Sequence, residues 1–305
     1  MGERMLRAAL DHAPDLVHVT GIWDSSAAAL DRVAAMGAPR AASAAAVIDG
    51  ADCVYIATPP ATHIAYADLA FAAGRAAFLE KPLATDVAAA EAFVSRAPSR
   101  AAVNFPFASS FAVERLRTWI AAAPPPTALD IVVAFATWPR PWQQAAAAWL
   151  DAPAEGGFTR EVVSHFLFLA RRILGPLRLD SAKVDRTPGR TERNIDARLH
   201  AGDTPIHLLG AVGTTSADDH NTWTLHGANP GAALRLRDWS WAERQVDGAW
   251  QPDPDAAPNE RMRPLVLRRQ LEGVVRMTAG EPHALATLQE ALEVQSIVER
   301  ILSHA

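Results

Sequence analysis

The chain has 305 residues, of which 29 are lysine or arginine and 34 are aspartate or glutamate, giving a formal net charge of −5. Scattered basic residues in an acidic chain build no broad positive surface, which argues against nucleic-acid binding. Apolar runs such as 131–136 fall far short of the ~20 residues of a membrane helix, and we identify no signal peptide. A single cysteine, Cys53, fits a reducing compartment. We therefore expect a cytoplasmic protein of two domains, without a nucleic-acid or membrane partner.

Lysine is rare in this sequence. It occurs at Lys81 and Lys183, and arginine supplies the other positive side chains. A guanidinium stays charged at any working pH, whereas an ammonium can titrate. A lysine retained in so arginine-rich a chain indicates a task that needs a titratable cation, although chance survival explains a single lysine equally well.

The first hundred residues alternate between helical and strand patterns. Helices are predicted at 1–12, 25–36, 44–48, 63–73 and 86–96, and strands at 16–23, 52–57, 76–79 and 100–104. Asp24 or Ser25 is predicted to cap the second helix. Short strands that alternate with single helices along the chain predict βαβ units and an α/β fold with a doubly wound parallel sheet.

After a predicted helix at 111–122, prolines at 124–126 break the pattern and the chain changes character. Eight of the nine tryptophans lie from Trp119 onward. Strands are predicted at 128–137, 195–200, 204–209, 222–225 and 233–238, and helices at 161–174, 264–278 and 284–303. This order predicts an α+β domain with a largely antiparallel sheet. We place the boundary between the two domains at 108/109.

Two short motifs directly follow predicted strands. ATPPATH spans 57–63 and LEKP spans 79–82. Ligands of open parallel sheets bind outside the carboxyl ends of the strands, where both motifs lie. Pro82 disfavours helix at Lys81, while Glu80 offers a carboxylate for a ribose hydroxyl. The alternative is a pair of ordinary strand-to-helix turns with a solvated charge pair.

These motifs resemble the glucose-fructose oxidoreductase, inositol dehydrogenase and rhizopine catabolism family, written Gfo/Idh/MocA. Further similarity lies in 281–284 leading into 291–295, and in Gly156-Gly157 followed by Glu161 and His165. The resemblance implies a dinucleotide-binding Rossmann-type domain over 1–108 and a substrate and oligomerisation domain over 109–305. It also implies NAD or NADP as cofactor, and a homo-oligomer formed through the open sheet face.

The catalytic residues predicted on this basis are Lys81, His165 and Glu161. Residues four apart share one helix face, so Glu161 can orient His165 or hold its proton. The resemblance implies that Lys81 and His165 exchange a proton with the substrate hydroxyl. A core histidine on an apolar helix is the alternative for His165.

Binding residues are predicted around the same motifs. The predicted cofactor contacts are Gly2, Asp24, Thr58, Pro59, His63, Glu80 and Lys81. The predicted substrate contacts are Lys81, Asn104, Trp149 and His165. The remaining histidines have no metal-ligand spacing, so we predict no metal site.

Three features depart from the family pattern. Glu161 stands where the family usually has aspartate, and the apolar Pro106-Phe107-Ala108 replaces a run that is often polar. The family opens with a strand and GxGxxG, whereas this chain opens with Met1-Gly2, so that Gly2 resembles the third glycine. Asp24 follows 22 residues later, near the ~20 expected for the acid on the ribose. We expect an internal start codon with about ten residues upstream, the alternative being a short protein that no longer binds dinucleotide.

The predicted function is hydride transfer between NAD(P) and a hydroxyl-bearing carbon of a sugar, cyclitol or related polyol. Asp24 would repel a 2′-phosphate and so favours NAD, although Ser25 and Ser26 could accommodate NADP. Two alternatives stay open. One is a non-catalytic dinucleotide or ligand sensor, and the other is a lyase or epimerase that uses nicotinamide transiently.

Overall fold

The computed structural model describes residues 1–216, 220–229 and 231–304. The chain divides into two compact units. Unit 1 consists of Met1–Ser109 and Arg263–Leu292, and unit 2 of Ser110–Met262 and the residues from Glu293 onward. The sequence-based boundary did not include the return of 263–292 to unit 1. No described helix is long and apolar enough to cross a membrane.

Unit 1 contains a parallel sheet built from βαβ units. Its helices are α1 (Gly2–Arg7), α2 (Ala27–Ala34), α3 (Ala44–Asp49), α4 (His63–Ala72) and α5 (Val87–Arg96). Its strands are β1 (Cys53–Ile56), β2 (Ala76–Leu79) and β3 (Ala101–Val103). They pair in the order β1-β2-β3, and every residue of the central β2 is buried. This burial explains the continuous apolar pattern by which these strands were predicted.

The strand predicted at 16–23 is not formed. Ile22 makes an isolated parallel bridge with Arg40, and the side chains of Leu16, Val17 and Val19 pack against the core cluster of unit 1. These three side chains are partly buried, and among the described residues no strand pairs with this segment beyond the bridge at Ile22.

The core of unit 1 joins residues far apart in sequence. Met5 on α1 and Phe78 on β2 share one buried cluster with Leu271, Val274 and Met277. The last three lie on α9 (Asn259–Thr278), which explains why 263–292 belongs with the first hundred residues. Burial of these apolar side chains is the main stabilising contribution to such a unit.

Unit 2 contains a large mixed sheet, predominantly antiparallel. Its strands are β4 (Ala128–Phe135), β5 (Leu177–Arg186), β6 (Glu192–Ala201), β7 (Thr204–Val212), β8 (His220–His226), β9 (Ala233–Arg237), β10 (Trp241–Val246) and β11 (Ala249–Pro252). The order is β11-β10-β9-β8-β4-β7-β6-β5, and β4 and β7 pair in parallel while the other neighbours are antiparallel. The predicted fold class is confirmed. Strands β5, β10 and β11 were missed because they lie at or near the sheet edges, where the apolar pattern is weak.

The other helices are α6 (Phe111–Ala121), α7 (Ala147–Leu150), α8 (Ser164–Leu174) and α10 (Leu288–Leu302). The predicted helix at 161–174 is only partly α-helical, because Thr159–Val163 is a π-helix that continues into α8. A second π-helix, Ala8–His12, follows α1. The cap of α2 also differs from the prediction, since the Ser26 side chain accepts from the Ala29 N–H.

Candidate active site

In unit 1, the carboxyl ends of the parallel strands bring three of the predicted positions to one edge. The Glu80 N–H donates to the Ile56 carbonyl at 2.9 Å, and the Asn104 N–H donates to the Leu79 carbonyl at 2.7 Å. These bonds extend the sheet ladder one residue past β2 and β3. Thr58, Glu80 and Asn104 therefore lie at the edge where ligands of such sheets bind.

A buried hydrogen-bond network holds Glu80. The Tyr55 hydroxyl donates to Glu80 Oε1, and Asn104 Nδ2 donates to the same oxygen at 2.7 Å. Gln270 Nε2 on α9 donates to Asn104 Oδ1 at 2.6 Å. Burial and the adjacent Glu80 charge raise the pKa of Tyr55 well above its ordinary value, so the phenol stays a donor. The network fixes the Glu80 carboxylate and uses both groups of the Asn104 amide.

His63 links the loop that follows β1 to the loop that follows β2. Its Nδ1 lies 2.8 Å from the Pro82 carbonyl oxygen and its Nε2 lies 2.7 Å from the Thr58 carbonyl oxygen. The imidazole is buried, with 1% of its residue surface exposed. Its ring nitrogens therefore face the backbone of the loops rather than the protein surface.

Lys81 lies between Glu80, which belongs to the polar network, and Pro82, which lies close to His63. It is buried, follows directly on β2, and precedes Pro82 through a cis peptide bond. On one side Glu80 is anchored by the polar network, and on the other Pro82 is anchored by His63. The backbone of the predicted acid/base residue is thus fixed from both directions.

The other predicted cofactor contacts lie on the surface of unit 1 or close to its strand ends. A Cβ added at Gly2 would lie 3.5 Å from Ala57 Cβ, so the start of α1 closely approaches the end of β1. Asp24 is exposed, and its Oδ1 accepts from the Ser26 N–H at 2.8 Å. Pro59 is exposed, and the Thr58 hydroxyl lies 2.8 Å from that of Thr62.

In unit 2, two glycines precede the helix that carries Glu161 and His165. A Cβ at Gly156 would lie 2.2 Å from the Leu150 carbonyl oxygen, and Gly157 has a φ of +109°. The backbone passes too close to itself for any side chain at Gly156, and Gly157 adopts a conformation that favours glycine. The Gly-Gly pair is therefore required by the local chain path.

A buried carboxylate caps the same helix. Glu192 Oε1 accepts from the Thr159 N–H at 2.7 Å, at the helix end where a negative charge is favourable. A Cβ on Gly157 would lie 2.5 Å from Glu192 Oε2. The glycine makes room for the capping carboxylate, which links the start of the helix to β6.

Glu161 lies in the π-helical turn and His165 in the first turn of α8. The spacing of four residues therefore does not correspond to regular α-helical geometry as the sequence suggested, because a π-helix has more residues per turn. His165 is buried, and its ring centroid lies 5.3 Å from that of Trp239 with an interplanar angle of 70°. Phe166 contacts Trp239 at 5.3 Å as well.

The loop that contains Trp149 is anchored by Asp151. The Asp151 carboxylate accepts from the Thr191 hydroxyl at 2.7 Å and from the guanidinium groups of Arg190 and Arg193 at 2.6 and 2.9 Å. Burial raises the pKa of Asp151, but these hydrogen bonds outweigh burial and leave the pKa below its ordinary value. Trp149 is partly exposed at the end of α7.

Sequence reasoning missed four residues that organise these two sets. Tyr55 and Gln270 complete the network on Glu80, Glu192 caps the His165 helix, and Trp239 packs on His165. Tyr55 precedes the first motif by two residues and could have been suspected from that position. The other three depend on contacts across more than 30 residues, which no local pattern indicates.

Residues 1–106 match the sequence profile of the Gfo/Idh/MocA family, described as an oxidoreductase family with an NAD-binding Rossmann fold. This segment is thus similar in sequence to the NAD-binding part of the Gfo/Idh/MocA oxidoreductases. The match over residues 1–106 bears out the predicted family resemblance and the predicted class, an NAD(P)-binding oxidoreductase. No curated protein sequence matches the chain.

Solved structures show similarity of fold over nearly the whole chain. An oxidoreductase from Agrobacterium radiobacter, in complex with NAD+, L-tartaric acid and magnesium, has a TM-score of 0.80 at 19% identity over 100% of this chain and 93% of that one. An inositol dehydrogenase homolog from Azotobacter vinelandii, complexed with NAD+, has a TM-score of 0.78 at 17% identity over 99% and 91%. A 3-ketoreductase from Actinomadura kijaniata, in complex with TDP-benzene and NADP, has a TM-score of 0.75 at 17% identity over 99% and 93%. At such identities the similarity establishes the shared fold.

Proposed function

We propose that the protein transfers a hydride between the nicotinamide of NAD(P) and a hydroxyl-bearing carbon of a sugar, cyclitol or related polyol. The observation that carries this proposal is the placement of Lys81, fixed at the carboxyl end of β2 in a family of NAD-binding oxidoreductases. Oxidation of a secondary alcohol needs a base for the hydroxyl proton, and the reverse reaction needs an acid. The Lys81 side chain can fill both roles, because its neutral amine can accept the hydroxyl proton during oxidation and its ammonium can return that proton during reduction.

The residues around the strand ends fit a dinucleotide. Gly2 carries no side chain at the first position of α1, close to the end of β1, and a helix start of this kind suits a pyrophosphate. The exposed Asp24 carboxylate can accept from ribose hydroxyls, with its Oδ2 not engaged by the Ser26 bond. The bound nicotinamide would supply the hydride acceptor or donor.

Asp24 favours NAD over NADP, because its charge repels a 2′-phosphate. Ser25 and Ser26 lie beside it and could donate to such a phosphate, and similar folds are found with either cofactor. We therefore propose a preference for NAD that Asp24 determines. Replacing Asp24 with Asn should reduce the preference, measured as the ratio of kcat/KM for the two cofactors.

His165 is proposed as the second proton-handling residue, and Glu161 as the residue that orients it. The support is the fixed start of their helix, which follows the Gly156-Gly157 pair and is capped by Glu192. A fixed imidazole costs little reorganisation during proton transfer. Trp149 and Asn104 remain proposed substrate contacts, although the Asn104 amide groups already bond within the protein.

The test is turnover of NAD+ and NADP+ with sugars, cyclitols, amino sugars and open-chain polyols, followed by absorbance of the reduced nicotinamide. Lys81→Ala should lower kcat by about 10²- to 10⁴-fold, the usual contribution of general acid/base catalysis. Lys81→Arg should not restore kcat, because a guanidinium does not release its proton. Cofactor affinity measured by calorimetry should change much less than kcat.

Lys183→Ala is the matched control, because Lys183 is the other lysine and lies exposed on β5. It should retain the activity of the unmodified protein. Full activity of Lys81→Ala would remove the proposed roles, and cofactor binding without turnover on any substrate would favour a sensor.

A further inference from the structure

The β9–β10 hairpin of unit 2 has an unusual turn. Arg237 pairs with Trp241, so the loop consists of residues 238–240. Asp238 has a φ of +45° and Trp239 a φ of +72°. Two successive non-glycine residues are thus left-handed, and for a residue as bulky as tryptophan this conformation is a genuine outlier. Such conformations persist only where the surroundings enforce them.

The surroundings of this turn do enforce it. The Asp238 N–H donates to the Asn221 carbonyl at 3.0 Å, and Asp238 Oδ1 accepts from the Asn221 N–H at 3.2 Å. Asp238 Oδ2 accepts from Arg237 Nη1 at 3.1 Å. On the far side, the Ser240 hydroxyl donates to the Ala257 carbonyl at 2.8 Å. The turn is therefore fastened both to β8 and to the segment that follows β11.

The fastened turn directs one side chain at the proposed proton-handling residue. The Trp239 ring contacts the His165 ring edge-to-face, with centroids 5.3 Å apart, and also packs against Phe166. His165 and Phe166 are buried, whereas Trp239 is partly exposed. The indole thus combines a fixed contact with His165 and surface that solvent or a ligand can reach.

We propose that Trp239 contacts the substrate and selects for ring-shaped polyols, which stack their C–H face on the indole beside His165. This inference rests on the proposed function. A rigid aromatic plane offers a large apolar area at low entropic cost and suits the apolar face of a saturated ring better than a flexible open chain. Trp239 thereby acts as a specificity-determining residue of unit 2.

The first test removes the ring while keeping the turn. Because glycine readily adopts a positive φ, Trp239→Gly retains the backbone conformation and deletes the indole. We expect the KM for cyclic polyols to rise about tenfold or more, the scale of one well-placed apolar contact. The KM for open-chain polyols and the Kd for the cofactor should change by much less. Trp239→Phe should restore part of the affinity for cyclic polyols.

Trp250→Leu is the matched control. Trp250 is another partly exposed tryptophan of this sheet, on β11, with the Arg235 guanidinium 4.0 Å from its ring centroid. This variant should keep the unmodified KM values. An equal rise of KM for cyclic and open-chain polyols in Trp239→Gly would overturn the inference, and so would unchanged KM values.

A second readout does not depend on turnover. In protein labelled with 5-fluorotryptophan, the ¹⁹F resonance absent from Trp239→Phe identifies residue 239. Addition of the cofactor and a cyclic polyol should shift this resonance, while an open-chain polyol should leave it in place. If no polyol is oxidised, the proposed function fails, and the fluorine signal alone decides the inference. A resonance that stays in place with every cyclic polyol overturns it.

Discussion

At Gly156, in the segment that leads into the helix of His165, the backbone leaves no room for a side chain, so we expect Gly156→Ala to destabilise unit 2. A Cβ there would lie 2.2 Å from the Leu150 carbonyl oxygen and 2.4 Å from the Trp149 carbonyl oxygen. These are backbone atoms, which cannot rotate away as a side chain can. Overpacking costs typically 1–3 kcal/mol, so Gly156→Ala should reduce the free energy of unfolding of unit 2 by about 3 kcal/mol.

Gly202→Ala separates this steric effect from backbone strain. Gly202 lies in the β6–β7 turn with a φ of +54°, and a Cβ there would meet nothing within 4 Å. Its substitution should therefore cost only about 1–2 kcal/mol for the left-handed conformation. The comparison is made within one unit, since both glycines belong to unit 2.

Equilibrium urea unfolding followed by tryptophan fluorescence measures both variants. Eight of the nine tryptophans lie from Trp119 onward, so the signal reports mainly on unit 2. Gly156→Ala should also lower kcat, because the displaced loop leads into the helix of His165. A loss of stability no larger than that of Gly202→Ala would refute the steric reasoning.

Three further predictions concern unit 1. Arg268 lowers the pKa of the exposed Asp15 to about 2, so Arg268→Met should raise that pKa toward 3.8, as measured by an NMR titration. Because the pKa of Asp15 is lower in the folded than in the unfolded state, the ion pair stabilises the fold above about pH 4. This stabilisation is lost as the pH falls toward 2. Asn104→Ala removes a donor from the buried Glu80 carboxylate and should lower the free energy of unfolding by about 1.5–3 kcal/mol, which an unchanged thermal midpoint would contradict. Burial raises the pKa of Cys53 to about 11, so its alkylation by iodoacetamide at about pH 8 should be about 200-fold slower than that of a free thiol, and rapid labelling would contradict this.

Local sequence patterns determined much of unit 1. The strands β1, β2 and β3 were predicted within one residue or so of their ends, because a buried parallel strand reads as an apolar run between turn residues. The motifs at 57–63 and 79–82 placed Lys81 correctly at a strand end. These features depend on residues that are neighbours along the chain, so the sequence alone is enough to predict them.

Pairing and burial, by contrast, were decided by the tertiary structure. Residues 16–23 have a strand pattern but lack a described partner, so their backbone forms no ladder. Glu80 and Asn104, which stay predicted ligand contacts, also bond within a buried network with Tyr55 and Gln270 that no local pattern indicated. A polar side chain at a strand end can face solvent or another polar group, and the sequence does not distinguish the two.

The same division holds in unit 2. The sequence identified Gly156-Gly157, Glu161 and His165 as a set, and the structure supplies the reason for the glycines in the close approach to Leu150. It could not identify Trp239, whose position beside His165 depends on a turn fastened to β8. Residue types reveal chemistry that is local in sequence, whereas contacts between distant segments are fixed only when the chain has folded, because they depend on the packing of the whole unit.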